Sequence, residues 1–342
     1  MKLTRLGADG PTVSQFGIGG MSFAGIYGNA KEADSCAVLD ACHAAGVTHI
    51  DTSNVYGNGR SEEIIGTWFN KTGNRDKVVL ASKIAGAGPY TAPIRSNGFA
   101  KEAIIEAVDG SLKRLQTDYI DLYQLHWPER GVNCFGVRDY PYATSREEAE
   151  NHYEILETLD QLVKSGKIRH VGLSNETPWG TMKYLQTAEE NNFPRMSTIQ
   201  NSYSLIHRGY EVGMSEVSMR ENIGLLAYSP LAQGVLSGKY LDGKQPEGAR
   251  GTLFPQFIAR YKGDGATAAV REYLKIAEKH GMTLSELSLA FINQLPFVTS
   301  NIIGATKMDQ LKENIGSINF DLSEEVLGEI EAVHAAIPNP AP

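Results

Sequence analysis

Cysteine is scarce in this chain: three residues in 342, at Cys36, Cys42 and Cys134. An odd number with no metal-ligand spacing argues against a disulfide framework and fits a reducing compartment. Long apolar runs are missing too. No stretch reaches the ~18 residues of a membrane helix, and the opening MKLTRLGADG has no apolar signal-peptide core. There is no basic excess: 32 Lys and Arg against 40 Asp and Glu leave a net charge of -8, which speaks against a phosphate-backbone footprint. No G-x-G-x-x-G opens a strand-helix unit, so a Rossmann nicotinamide site is not expected. No cluster of His, Asp and Glu at strand ends has metal-ligand spacing, and no metal is expected. What remains is a soluble, cytoplasmic protein acting on a small molecule, without a nucleic-acid or membrane partner; its oligomeric state is not written in the sequence.

At 42% hydrophobic and 21% charged, the chain is able to bury a large core. One theme repeats along it. Short apolar runs ending in Gly, Ser or Asn alternate with amphipathic segments: QFGIGG then Lys31 to Ala45, THID then Ser61 to Phe69, VVLASK then Lys101 to Leu115, YIDLYQLH then His152 to Lys164. The series goes on with IRHVGLSN then Trp179 to Glu190, STIQN then Glu211 to Glu221, GLLAYS then a long excursion, and NIIGAT then Met308 to Ile318. Eight strand-helix units predict an α/β fold, a (β/α)8 TIM barrel in one domain over 1–342. The runs are apolar on both faces, as parallel strands covered by helices should be. Helix signals agree: Gly166 at a left-handed C-cap, Thr177-Pro178 as N-cap and first-turn proline, and capping boxes at Thr283 with Glu286 and, in looser form, Thr306 with Asp309.

In such a barrel the loops after the strands build the site. Asp51, Lys83, His126, Ser174, Asn175, Gln200 and Tyr228 all fall at or just past a predicted strand end. With Tyr56, the first three make a proton-donor set. Reducing a carbonyl by hydride transfer leaves charge on oxygen, so an acid must deliver a proton there. Tyr56 is the candidate acid, and the ammonium of Lys83 would favour its phenolate. Asp51 would keep Lys83 charged and fixed, and neutral His126 would orient the carbonyl oxygen. Each residue also has a plainer reading: a structural ion pair for Asp51 and Lys83, a satisfied aromatic for Tyr56, a strand-end histidine for His126.

The segments GVTHIDTSNVYG, LASKI, DLYQLHWP, VGLSN, IQNSYS, LLAYSPLAQGVLSGKY and IIGATKMDQLKENI, in that order, resemble the motifs of the aldo-keto reductases over nearly the whole chain. The resemblance implies a TIM barrel with NADP(H) extended across its C-terminal mouth. It implies a carboxamide held by Ser174, Asn175 and Gln200, a nicotinamide ring stacked on Tyr228, and further contacts from Gly20, Met21 and Asp51. Ser229, Pro230, Leu231, Ala232, Gln233 and Gly234 would wrap the pyrophosphate, with charge from Lys239. Gly304, Thr306, Gln310, Glu313 and Asn314 would hold the adenosine end. Lys239, Arg250 and Lys307 are candidates for a 2'-phosphate, which favours NADP over NAD; family members with arginine at the Lys307 position give a clearer signal. The implied activity is NADP-dependent reduction of aldehydes or ketones to alcohols. Channel β-subunits, more distant members, leave open an NADP-binding regulatory or redox-sensing role.

Two long mouth loops, about 129–148 and 241–265, are expected to choose the substrate. The first carries Phe135, Tyr140 and Tyr142, and the second Phe254, Phe257 and Tyr261. Phe23, Tyr90 and Trp127 are expected as apolar wall, with Phe23, Tyr56, His126 and Trp127 as substrate contacts.

Overall fold

In the computed structural model of the protein, the residues described are 1–23, 25, 31–88, 91–95, 98–142, 151–305 and 307–341. A short antiparallel hairpin comes first, β1 (Leu3–Arg5) with β2 (Thr12–Ser14). Eight parallel strands then close a barrel: β3 (Phe16–Gly19), β4 (His49–Asp51), β5 (Val79–Ile84), β6 (Ile120–Leu125), β7 (Ile168–Ser174), β8 (Met196–Ser202), β9 (Gly224–Tyr228) and β10 (Val298–Ile303). Each pairs with its neighbour in sequence, and β10 pairs β3 to complete the ring. Closure leaves no free sheet edge. The predicted (β/α)8 TIM barrel is the fold observed.

Helices cover the strands, as a parallel sheet requires. The crossovers hold α1 (Glu32–Ala44), α2 (Arg60–Thr72), α3 (Lys101–Leu115), α4 (His152–Lys164), α5 (Pro178–Asn191) and α6 (Met214–Glu221). Between β9 and β10 lie α7 (Arg250–Leu253), α8 (Asp264–Lys279) and α9 (Leu284–Asn293); α10 (Met308–Gly316) and α11 (Glu324–Ala336) follow. The helix expected over Glu211 to Glu221 begins at Met214. Gly213 takes φ 103, outside the helical region, and leaves Gly209–Glu211 as a separate 3-10 turn. The capping box of Thr283 and Glu286 opens α9, and Thr177 caps α5 with Pro178 in its first turn. Thr306 lies outside the described residues, and Lys307 stands at the N-cap of α10.

Alternation along each strand divides the core in two. Outward side chains such as Ile50, Leu80, Tyr123 and Leu173 join Ile64, Trp68, Ile104, Val108 and Leu159 from the helices in one large cluster. Inward side chains Val79, Ala81, Leu122, Leu226 and Ile302 form a separate cluster with Leu6 and Val13 of the N-terminal segment. That segment closes the floor. Thr4 Oγ1 donates to the carbonyl of Thr299, and Ser14 N to Thr48 Oγ1, tying the hairpin to the N-terminal ends of the strands. The site is left to the other end.

Candidate active site

Four elements bring the proton-donor set together at the mouth. Asp51 closes β4, Tyr56 sits in the turn after it, Lys83 is near the end of β5, and His126 follows β6. Lys83 is fully buried. Its Nζ donates to Asp51 Oδ2 at 2.6 Å and to the Thr52 carbonyl at 2.8 Å, and reaches Tyr56 OH at 3.5 Å. Burial pushes the Lys83 pKa down, while the Asp51 carboxylate opposes that push and holds the charge. The other oxygen of Asp51 accepts from Gln200 Nε2 at 2.8 Å and Gln124 Nε2 at 3.2 Å. A buried ion pair is tolerated only when its remaining lone pairs are met in this way.

His126 faces Tyr56 edge-on, with ring centroids 5.7 Å apart. Burial, with the charge of Lys83 adding to it, holds its pKa well below the usual histidine value, so the ring is neutral. Its Nδ1 is 2.9 Å from Ser53 Oγ, and its backbone carbonyl accepts from Asn175 Nδ2 at 2.9 Å. Trp127 lies next to it, ring centroids 4.8 Å apart, and its Nε1 donates to the Ala87 carbonyl at 3.2 Å. That indole needs Gly86 beneath it: a Cβ there would stand 2.4 Å from Nε1.

A trough of about 1260 Å³ crosses the mouth above this group. Asp51, Tyr56, His126 and Trp127 line it, with Lys83 lying below the surface. Ser174, Asn175, Gln200 and Tyr228 form the adjoining wall and are linked: Ser174 Oγ donates to the Gln200 carbonyl at 2.8 Å and Tyr228 OH to Asn175 Oδ1 at 2.7 Å. From there the wall continues through Ser229, Pro230, Leu231, Gln233, Gly234, Lys239 and Arg250 to Gly304, Lys307, Gln310, Glu313 and Asn314, with Met21 also facing it. Asn175, Ser229, Ala232 and Gln233 all adopt left-handed φ values of 46 to 56°. Non-glycine residues held there are strained, and such strain gathers where a loop must keep a set shape for a ligand.

Several expected residues stand elsewhere. Phe23 is 2% exposed and belongs to the main core, so it gives no wall to the trough. Phe23 caps the 3-10 turn Gly20–Ser22, its N–H bonded back to the Gly20 carbonyl, and its side chain packs with the main core. Ala232 is fully buried behind the loop, and Gly20 lies beneath the lining, close enough to Ser61 Oγ that a Cβ would meet it at 2.6 Å. Tyr90, like Thr306, lies outside the described residues. Of the first mouth loop's aromatics, Phe135 lines the trough, while Tyr140 and Tyr142 point to solvent. The second mouth segment is less a loop than a chain of short helical turns, Leu241–Gly243, α7 and Pro255–Tyr261.

Sequence reasoning passed over Ser53 and Gln124. Both sit inside quoted motifs, and Gln124 is two residues before His126, hence on the same inward face. Their signal was available in that spacing. Arg130 was also missed: it makes a two-pronged pair with Glu176, which is buried, and lies over the Trp179 ring at 5.0 Å.

The trough suits a long ligand with phosphate. Burial lowers the Lys239 pKa, and the charges of Arg250 and Lys307, which line the same trough, lower it further. Gln233 Oε1 is buried there without a hydrogen-bond partner. A bound anion relieves crowded cations, and a bound hydrogen-bond donor would satisfy the orphaned amide oxygen.

The closed barrel and polar mouth define an oxidoreductase of the aldo/keto reductase family: that family's model matches residues 15–335, and the chain belongs to it. Members of this family generally use a nicotinamide cofactor. The chain is similar to the protein Tas of Escherichia coli K12, 45% identical over 96% of both chains. It is 31% identical to an uncharacterized oxidoreductase, YrpG, of Bacillus subtilis over 96% of this chain and 94% of the other. A probable voltage-gated potassium channel subunit beta of rice is 31% identical over 99% and 98%. No described helix is long and apolar enough to cross a membrane.

Proposed function

We propose that the protein reduces aldehydes or ketones to alcohols with NADPH, using Tyr56 as general acid within one barrel domain. The observation that carries this reading is Lys83 Nζ, fixed by Asp51 at 2.6 Å and 3.5 Å from the Tyr56 hydroxyl. When bound, the nicotinamide supplies hydride to the carbonyl carbon. The protein's own part is to hold the carbonyl oxygen and bring a proton to it. Tyr56 OH gives up that proton, and the Lys83 ammonium stabilises the phenolate left behind. Asp51 keeps the ammonium charged, with Gln124 and Gln200 holding Asp51 in turn. With Ser53 donating to Nδ1, neutral His126 carries its proton on Nε2 and donates it to the same oxygen. In the reverse direction the phenolate takes the alcohol proton.

Ser174, Asn175, Gln200 and Tyr228 are suited to the nicotinamide end by their amide and aromatic chemistry. Gln310, Glu313 and Asn314 suit the adenosine end. The crowding of Lys239, Arg250 and Lys307 supports NADP over NAD, because a 2'-phosphate relieves it. The segments 129–148 and 241–265 would select the carbonyl compound, with Trp127 and Phe135 as wall.

The test is NADPH oxidation with a simple aromatic aldehyde, comparing Tyr56→Phe with the parent. The chemical rate should drop by about 10²–10⁴-fold, the usual worth of a positioned acid, while the Kd for NADPH stays the same. Equal turnover by the variant sinks the assignment. The similarity to a channel β-subunit supports a second reading, a cofactor-bound regulatory partner with slow turnover; a parent protein that binds NADPH tightly and reduces no aldehyde would favour it.

A further inference from the structure

Three arginines line the trough, and they differ in what balances them. Arg130 is matched by the two oxygens of Glu176. Arg250 belongs to the cluster with Lys239 and Lys307 near Glu313. Arg260 has no carboxylate partner among the described residues. It sits half-buried on the turn Pro255–Tyr261, with its guanidinium 4.6 Å from the Tyr261 ring centroid and a hydrogen bond to the Tyr261 hydroxyl.

Its place along the trough is set by what it touches. Arg260 donates to the Tyr228 hydroxyl, which itself donates to Asn175 Oδ1 at 2.7 Å, and Asn175 Nδ2 donates to the His126 carbonyl at 2.9 Å; burial pushes the Tyr228 and Cys134 pKa values up, and the charge of Arg260 opposes that push at both. Through these contacts Arg260 stands two side chains away from His126, on the carbonyl side of the trough. The trough it lines also has apolar wall, from Trp127, Val132, Phe135 and Phe257. A cation in such a wall loses hydration without regaining it from a protein anion, so an anion brought by the ligand is the missing partner. The guanidinium fork fits a planar carboxylate through two parallel hydrogen bonds.

We infer that the substrate is a carbonyl compound bearing a carboxylate, an oxo acid or formyl acid with an apolar body, and that Arg260 binds its carboxylate. This rests on the reading of the site as a carbonyl reductase. Apolar wall and cation together would reject bulky neutral aldehydes and ketones less by shape than by leaving Arg260 unpaired.

The experiment compares the three carboxybenzaldehyde isomers with their methyl esters, using parent, Arg260→Gln and Arg260→Lys proteins. A charge-assisted pair contributes about 1.5–3 kcal/mol, so at least one isomer should be favoured over its ester by about tenfold or more in kcat/KM, mainly through KM. Arg260→Gln should abolish that preference, Arg260→Lys should restore part of it, and the ester rates and the Kd for NADPH should stay within about twofold. A preference that survives Arg260→Gln overturns the inference. So does a fall in NADPH affinity with unchanged acid-to-ester ratio, since Arg260 would then serve the cofactor. Calorimetric binding of the corresponding carboxybenzyl alcohols to the protein saturated with NADP+ needs no turnover: Arg260-dependent binding supports the inference even if reduction fails, and its absence from all three isomers overturns it even if reduction succeeds.

Discussion

Along β5 the inward side chains run Val79, Ala81, Lys83, and along β6 they run Leu122, Gln124, followed by His126. The same strands thus supply a dry floor and an ionic mouth. At the floor, Leu6 and Val13 from the N-terminal segment plug the barrel and share one apolar cluster with Val79, Ala81, Leu122, Leu226 and Ile302. At the mouth, one carboxylate, Asp51, is surrounded by Lys83, Gln124 and Gln200. Between them is a partly satisfied layer: His49 Nδ1 lies 3.1 Å from Ser300 Oγ, while His49 Nε2 and Thr198 Oγ1 have no partner. The floor is what an interior looks like when only stability matters. The mouth spends stability on fixed charge that water would otherwise blur, and that is the property a proton-transfer site needs.

The sharpest test of the contrast damages each end once. Lys83→Met leaves Asp51 charged, buried and facing only amides, which should cost about 3–5 kcal/mol of unfolding free energy. With no ammonium beside Tyr56, turnover should drop by about a hundredfold or more. Leu122→Ala should cost about 2–5 kcal/mol through its cavity and leave kcat and the Kd for NADPH nearly unchanged. Urea unfolding and steady-state rates read both. If Lys83→Met turned over normally, or Leu122→Ala lost activity in proportion to stability, the division between floor and mouth would break.

Acid should separate the layers next. Burial pushes the His49 pKa down to about 4, against about 6.5 in an unfolded chain. Between those values the unfolded chain takes up a proton that the folded one refuses, so this stability is complete above pH 6.5 and is lost as pH falls toward 4. At pH 5 His49 should cost about 2 kcal/mol. His207, also pushed to about 4 by burial with Arg260 adding to it, acts in the same direction. His126 is neutral well below its usual value, so the rate per folded molecule should show no loss centred near pH 6.5. A His49→Gln variant should flatten the urea midpoint between pH 7.5 and 5; an unchanged slope would remove His49 from the account.

Much of this architecture is legible in the sequence, and for one reason: parallel strands covered on both sides must be apolar runs, and a break to Asp, Lys or His at their ends stands out. Asp51, Lys83 and His126 are visible on those grounds, and Gln200 and Tyr228 likewise. The floor hairpin is not, because strands of three residues carry too little pattern. Phe23 misleads because a buried aromatic and a pocket wall look alike until the turn before it is seen. Arg260 is invisible for another reason: its sequence neighbourhood, PQFIARY, resembles any surface turn, and only the fold shows that no carboxylate among the described residues reaches it. Pairing is a tertiary fact, and so is its absence.

The smallest expected effect concerns Ser53, whose hydroxyl is 2.9 Å from His126 Nδ1. A neutral imidazole carries its proton on either nitrogen, and the partner on one side decides which. Ser53→Ala removes that partner without touching the trough surface, since Ser53 is fully buried and absent from the lining. A neutral hydrogen bond is worth about 1 kcal/mol, so kcat should fall about fivefold, with the Kd for NADPH unaffected. A merely structural role would give a similar loss of stability and no change in the ring, so the deciding readout is the imidazole ¹⁵N spectrum. In the parent, His126 should hold a single tautomer protonated at Nε2; in Ser53→Ala, part of the population should carry the proton on Nδ1. If the spectrum does not move while the rate falls, the mouth's order reaches His126 through its backbone bond from Asn175 and not through Ser53.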